Sequence, residues 1–416
     1  MSLKERVRLE ALGRVNRKEI TVARAAELAG VSLRQMRRLW KRYQRDGDSG
    51  LVHRSRGKRP NNRLPDPKRA AIIELCRARY ADFGPTFACE KLKADGYELS
   101  PDTLTALLKE ANLWQPRRRR GRHRARRPRR DCFGHLLQMD GSEHDWFETR
   151  GGRCVLMVAI DDSTNRCLAR FYRRENLDAA FDAFARWIAL HGLPRALYVD
   201  RAAIYRSDRD PTGDELLAGQ VPLTQFGRAM KELGVVLILA NSPQAKGRVE
   251  RRNAVFQDRL VKELRLAGIS DIERANALLE ASFLAELNAR FSVKPAHPID
   301  AHRPLEPSIQ IDQVLCEQEP RVVGNDWCVR WNNQWLQIHE QHKTLALPGK
   351  QILVLQKRDG SLLLKHKGDT LCHTPISERP RQKPPKPVIR NNQPWKPPAT
   401  HPWKRPGGRP VAAAAT

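Results

Sequence analysis

LLQMDGSEHDWF, residues 136–147, opens with an apolar run that stops on a carboxylate, and the order of elements after it decides the fold. Leu136 to Asp140 reads as a short buried strand. Arg153 to Asp161, rich in Val, Leu, Met and Ile, and Arg166 to Tyr172 read as two more, and the three suit an antiparallel meander. Leu177 to His191 then carries Leu177, Phe181, Phe184 and Ile188 at helical spacing. Arg195 to Val199 is a fourth strand, and it again runs into a carboxylate, Asp200. Thr224 to Leu233 (helix), Val235 to Leu239 (strand) and a long helix from about Gly247 complete the order.

Three strands, a helix, a strand, a helix, a strand and a long helix is the order of a ribonuclease-H-like α/β domain, expected over 131–300. A third acid belongs to its last helix. With Val249, Phe256, Leu260 and Leu264 on one stripe, Glu250 falls about 100° from Val249, on the shoulder of the buried face. Singly, an Asp at a strand end is a turn former and a helical Glu is solvated. Together, three carboxylates brought within a few ångströms would repel by roughly 1 to 4 kcal/mol per pair unless a cation neutralised them. Mg²⁺ or Mn²⁺, as two ions on Asp140, Asp200 and Glu250, is the natural answer, because hard cations take oxygen ligands and can activate a hydroxyl for in-line phosphoryl transfer. Two rival acid groups read differently. Asp161 and Asp162 precede Ser163-Thr164-Asn165 and suit a hairpin turn, while Glu143, His144 and Asp145 sit beside Trp146 and Phe147 in what reads as a packed turn.

Outside this domain the charge is lopsided. Lys+Arg 76 against Asp+Glu 47 gives a formal charge of +29 over 416 residues, a field suited to a polyanion, with nucleic acid the first expectation. The opening MSLKERVRLE has no apolar core of a leader, and no stretch approaches the roughly 18 apolar residues of a membrane span, so the expectation is a cytoplasmic, nucleoid-associated protein with no membrane partner. Eight cysteines, at 76, 89, 132, 154, 167, 316, 328 and 372, form no CxxC pair and read as reduced packing residues. GxSxG, P-loop and HExxH patterns are absent, which removes serine hydrolase, NTPase and zinc protease readings.

The first part of the chain is helical. Thr21 to Ala29, the turn Gly30-Val31, and a helix from Ser32 form a helix-turn-helix pattern, with Ser32 and Gln35 spaced as a capping box. On the second helix Leu33, Met36, Trp40 and Tyr43 fall within about 80° of one another, while Arg34, Gln35, Arg38, Lys41 and Arg42 occupy the other side. A helix seated in a DNA major groove needs one packing face and one cationic face. Pro67 to Tyr80, Thr86 to Ala94 and Ser100 to Leu113 form a second helical unit, with Ser100 as cap and Pro101 at the first helical position. The expected organisation is a helix-turn-helix domain at 1–60, a second such unit at 61–116, a basic linker at 117–130, the α/β core at 131–300, a small β-barrel at 310–376 and a disordered, basic, Pro-rich tail at 377–416.

Three segments carry a family resemblance: Gln138-Met139-Asp140-Gly141-Ser142-Glu143-His144-Asp145-Trp146-Phe147, then Tyr198-Val199-Asp200, then Asn241-Ser242-Pro243-Gln244-Ala245-Lys246-Gly247-Arg248-Val249-Glu250-Arg251. They resemble DDE transposases with a retroviral-integrase-type core, in the manner of the ISNCY group of bacterial insertion sequences. Ala301-His302-Arg303-Pro304-Leu305, Tyr80 to Thr86 and the basic arm Gly50 to Gly57 agree, so the likeness runs from about 20 to about 370. It implies metal-dependent cleavage and strand transfer at the ends of a mobile element, with Asp140, Asp200 and Glu250 as the acids. It also implies Lys246, Arg248 and Arg251 near the DNA, element ends and target DNA as partners, and a homodimer or larger assembly. A non-catalytic DNA-binding regulator and a nuclease acting on hybrids are the alternatives. Two departures stand out. The 49 residues from 201 to 249 exceed the usual integrase spacing, the excess lying in 207–221. Ala202-Ala203 occupy positions where relatives carry His-Gly, which predicts strain in a turn needing positive φ.

Overall fold

The computed structural model describes residues 1–53, 55–57, 63–116, 128–217, 219, 221–240, 247–378 and 395–401. The chain forms two compact units, Met1–Arg122 and His123–Thr416. Most of the basic linker, the basic tail and Lys246 lie outside the described residues.

The first unit holds α1 (Leu3–Asn16), α2 (Val22–Leu28), α3 (Leu33–Asp46), α4 (Asp66–Arg79), α5 (Pro85–Ala94) and α6 (Pro101–Glu110). Each start obeys its local chemistry. Thr21 accepts from Arg24 N, Ser32 from Gln35 N at 3.2 Å and Ser100 from Thr103 N at 3.1 Å, satisfying N–H groups that the helices leave open. One apolar core gathers Leu12, Ala25, Met36, Leu39 and Leu51, and a second gathers Ile72, Phe87, Leu92, Leu104 and Leu108. The packing stripe of α3 differs from the expected one. Leu39 is buried and Leu33 is 39% exposed, because the stripe centres on Met36 and Tyr43 and leaves Leu33 at its edge on the first turn. Burying Met36 and Leu39 contributes about 1.5–3 kcal/mol each.

The second unit is built on β1 (Leu137–His144), β2 (Cys154–Asp161), β3 (Cys167–Tyr172), α7 (Leu177–His191), β4 (Ala196–Val199), α8 (Gly213–Leu217), α9 (Gln225–Glu232), β5 (Val236–Leu239), α10 (Gly247–Leu266), α11 (Ile272–Leu278), α12 (Leu284–Phe291) and α13 (Ile311–Val314). The sheet order is β3-β2-β1-β4-β5, with the first three strands an antiparallel meander and β4 and β5 parallel to β1. This is the expected ribonuclease-H-like arrangement. Leu137, Met139 and Met157 pack with α7 and α9 on one face; Leu156, Val158 and Ile160 pack with α10, α11 and α12 on the other. β1 runs past Asp140 to His144, opposite Cys154, so the acid stands mid-strand rather than at its end.

Residues 300–303 strap the bottom of this sheet. Arg303 exchanges backbone hydrogen bonds with Leu193 and its guanidinium donates to the carbonyls of Leu233 and Gly234. The indole N–H of Trp187 donates to His302 Nε2 at 3.1 Å, which leaves Nδ1 as donor to Asp300 at 2.6 Å. Gly134, at φ 79°, admits that imidazole: a Cβ there would lie 2.3 Å from it.

The remaining strands are β6 (Glu317–Val322), β7 (Cys328–Trp331), β8 (Gln334–Ile338), β9 (Gln351–Gln356), β10 (Leu362–His366), β11 (Asp369–Leu371) and β12 (His373–Ile376). The small barrel expected here is realised as two sheets, β11-β10-β9-β6 and β12-β8-β7. Both contribute to one core around Val329, Trp331, Leu336, Val354 and Leu364. All eight cysteines are free, and burial pushes the thiols of Cys76, Cys154 and Cys167 up to about 11. No helix among the described residues is long and apolar enough to cross a membrane.

Candidate active site

β1 and β4 run parallel with Leu137 opposite Leu197 and Gln138 opposite Tyr198. Continued by two residues, that register sets Asp140 beside Asp200, the residue after the last one of β4. Neighbouring strands are about 4.8 Å apart, so the topology alone makes these distant acids neighbours. Asp200 Oδ1 accepts from Ala202 N at 2.9 Å, and Ala202 in turn accepts from Tyr205 N and Arg206 N. The turn is helical in character, and neither Ala202 nor Ala203 has a positive φ. The strain expected from the missing glycine is therefore absent, because the chain takes a turn that any residue can adopt.

α10 lies along β1 in a matched register. Val249 N donates to Gln138 Oε1 at 3.4 Å, Asn253 Nδ2 to Asp140 Oδ2 at 3.0 Å and Gln257 Nε2 to Ser142 Oγ at 3.2 Å. Four residues of helix advance about 6.0 Å and two residues of strand about 6.7 Å, which is why the three contacts keep step. Glu250 is one residue past Val249 and three before Asn253, and it is exposed. Among the described residues, no three His, Cys, Asp or Glu side chains stand close enough to hold a metal ion. The fold thus brings Asp140 and Asp200 together and puts Glu250 on the helix that touches Asp140, without closing the trio.

Three site neighbours escape the sequence reading. A Cβ on Gly141 would lie 2.1 Å from Glu175 Oε2, so the glycine makes room for a further carboxylate against the strand next to Asp140. Tyr205 is buried, packed edge-on against Phe226 at 5.0 Å, and its phenol is held well above its usual range by burial and then by the charges of Glu175, Asp200 and Asp140. A glycine inside a strand, directly after the acid, is the available signal. The oxygen-only donor set suits a hard divalent cation. Tyr205 Oη and Asn253 Oδ1 are buried without a hydrogen-bond partner among the described residues, as befits a site completed by bound water or an ion.

Of the residues expected near nucleic acid, Arg34, Gln35, Arg38 and Lys41 are exposed on α3, with Arg42 half-buried. Arg251 is exposed on α10. Arg248 turns inward instead: its Nε donates to Asp162 Oδ1 at 2.6 Å, with 14% of the arginine side chain and none of the aspartate exposed. Asp161 makes the expected turn, accepting from Thr164 N and Oγ1, each at 2.7 Å, and from Gly134 N at 3.0 Å. Glu143 and His144 extend β1 and are exposed, with the His144 ring edge-on against Trp146 at 5.3 Å, while Trp146 and Phe147 are buried.

A mixed sheet with two register-paired acids under a long helix, preceded by capped helix-turn-helix pairs, defines an integrase-like α/β protein with DNA-binding-type helices. A homeodomain-like domain family matches residues 35–108 and a helix-turn-helix domain family matches residues 7–59. A putative transposase, y4bF, of Sinorhizobium fredii is 39% identical over 375 residues, covering 89% of this chain and 80% of that protein. The transposase for insertion sequence IS1202 of Streptococcus pneumoniae is 29% identical, covering 92% and 90%. The chain belongs to the transposase family. Among solved structures, an HTLV-2 integrase catalytic core in complex with magnesium is 17% identical over 36% of this chain and 84% of its own, with a TM-score of 0.26. A simian T-cell lymphotropic virus intasome is 13% identical over 72% and 97%, with a TM-score of 0.30.

Proposed function

We propose that this transposase grips the terminal repeats of a mobile element with α3, cuts DNA at the element ends and joins the freed 3′-hydroxyls to target DNA, using Asp140, Asp200 and Glu250 to hold Mg²⁺ or Mn²⁺. The observation that carries this reading is the β1–β4 register, which sets two acids 60 positions apart in sequence side by side beneath the helix bearing the third. Bound there, two divalent ions would activate a water or 3′-hydroxyl and stabilise the leaving oxygen of a phosphodiester. The protein's own groups prepare the carboxylates. Asn253 fixes one oxygen of Asp140, the Ala202 N–H fixes one of Asp200, and Tyr205 stays a neutral phenol beside them. Arg34, Gln35, Arg38, Lys41 and Arg42 supply base-edge and phosphate contacts, and Arg251, with Lys246 and Arg248 as weaker candidates, meets the backbone near the cut. Two ends must react together, which calls for a dimer or larger assembly on DNA.

The test is Mg²⁺-dependent cleavage of a duplex carrying the element end, wild type against Asp140→Asn. Cleavage by the wild type, abolished in the variant with end binding intact, supports the enzyme. Binding with no cleavage by either would establish a non-catalytic DNA-binding regulator instead.

A further inference from the structure

Asp162 is one of the most completely buried charges in the protein, with no exposed surface. It sits just past the end of β2 and has no place in the reaction described above. Its contacts reach three separate segments. Oδ1 accepts from Gln138 Nε2 at 2.7 Å and from Arg248 Nε at 2.6 Å, and Oδ2 accepts from Arg130 N at 2.8 Å. Gln138 passes the connection on, since its Oε1 accepts from Val249 N. One carboxylate therefore ties the strand carrying Asp140, the end of the basic segment and the first turn of α10. Arg129 clamps the same corner, donating to the carbonyls of Asp162 and Ser163 and to Asn165 Oδ1.

A fully buried carboxylate is tolerated only when its partners are fixed, and a helix's first turn has no internal partners for its N–H groups. Gln138, Arg248 and Arg130 N hold the carboxylate, and Gln138 in turn takes the Val249 N–H. Glu250 is exposed and comes directly after Val249, so its position depends on what anchors Arg248 and Val249. We propose that Asp162 is a positioning residue: by holding Arg248 and Gln138 together it sets the first turn of α10, and so Glu250, over Asp140. The proposal rests on the reading of Glu250 as a metal-holding acid. Sequence alone assigns Asp162 only a turn role, because its partners lie 24 and 86 residues away.

The full-length chain is titrated with Mn²⁺ alone and the free ion followed by electron paramagnetic resonance, comparing wild type, Asp162→Asn, Arg248→Lys, Glu250→Gln and the double variant Asp162→Asn/Glu250→Gln. Asp162→Asn is expected to weaken Mn²⁺ binding about tenfold, a loss that the double variant does not add to that of Glu250→Gln. Arg248→Lys, which keeps a cation for Asp162, is expected to retain most of the affinity. Should Asp162→Asn fail to fold by circular dichroism, Gln138→Met, which removes the Gln138 arm of the network and leaves the Asp162–Arg248 pair, is measured in its place, and wild-type Mn²⁺ binding by it overturns the role of that network. Wild-type Mn²⁺ binding by Asp162→Asn, or losses that multiply in the double variant, overturn the positioning role alone. Wild-type binding by Glu250→Gln overturns the carboxylate assignment, and the positioning role with it.

Discussion

α3 and the first turn of α10 look alike in sequence: each is a short run dense in arginine beside apolar residues. In α3 Arg34, Arg38 and Lys41 are exposed and make no ion pair among the described residues. In α10 the run splits. Arg248 is held by buried Asp162, Arg252 is 4% exposed and lies over the Phe291 ring at 5.3 Å while donating to Asn165 O, and Arg251 alone faces outward. The difference teaches that a count of cations says little about what they bind. α3 has only a narrow packing stripe to satisfy, whereas α10 is pressed along a strand whose neighbours carry buried acids. A cation beside such an acid is held by the fold before any DNA arrives.

The largest test of this contrast is Arg248→Ala. Removing the guanidinium takes a charged partner from the buried Asp162 carboxylate, which costs about 3–5 kcal/mol of the unfolding free energy in a urea titration. Arg38→Ala on α3 should cost less than about 0.5 kcal/mol. Equal losses at the two sites would erase the distinction. The same pair sharpens it on DNA. Arg38→Ala, and Arg251→Ala with it, should each flatten the log–log salt dependence of duplex binding by about 0.9, the share of one phosphate contact. An unchanged slope for Arg38→Ala would remove α3 from the DNA surface.

Legibility in the sequence tracks the range of the forces involved. α7 begins and ends where its pattern says, Leu177–His191, because its signals are local: Asn176 caps Ala179 N at 2.9 Å and Gly192 ends the helix at φ 93°. Gln351–Gln356 is legible for the same reason, as an apolar run between turns. β6 is not, since Glu317–Val322 is polar and contains Pro320, and only its pairing with β9 makes it a strand. The extension of β1 through Gly141 to His144 likewise comes from its partner β2. At the candidate site, the pairing of Asp140 with Asp200 can be read from strand order. The inward turn of Arg248, the seat of Glu175 on Gly141 and the burial of Tyr205 cannot, because each depends on a neighbour fixed only by the assembled sheet.

The first unit has its own nearest counterpart to Asp162, and it gives the finest test. Glu5 is almost fully covered; it accepts from Ser2 N at 2.6 Å and His53 N at 3.0 Å, and pairs with Arg56 at 2.6 Å. The backbone N–H groups of Ser2 and His53 are the main cause that holds its carboxyl down to about 2, from an ordinary value of 4.5. A depressed acid stabilises the fold above its unfolded value, and that contribution is lost as pH falls through the folded one. The melting temperature of wild type should therefore exceed that of Glu5→Gln by a constant amount at neutral pH. The gap should begin to shrink below about pH 4.5 and close near about 2. A gap that does not change between about pH 6 and about pH 3 would mean that Glu5 holds α1 to residue 53 by shape rather than by charge, and the likeness to Asp162 would fail.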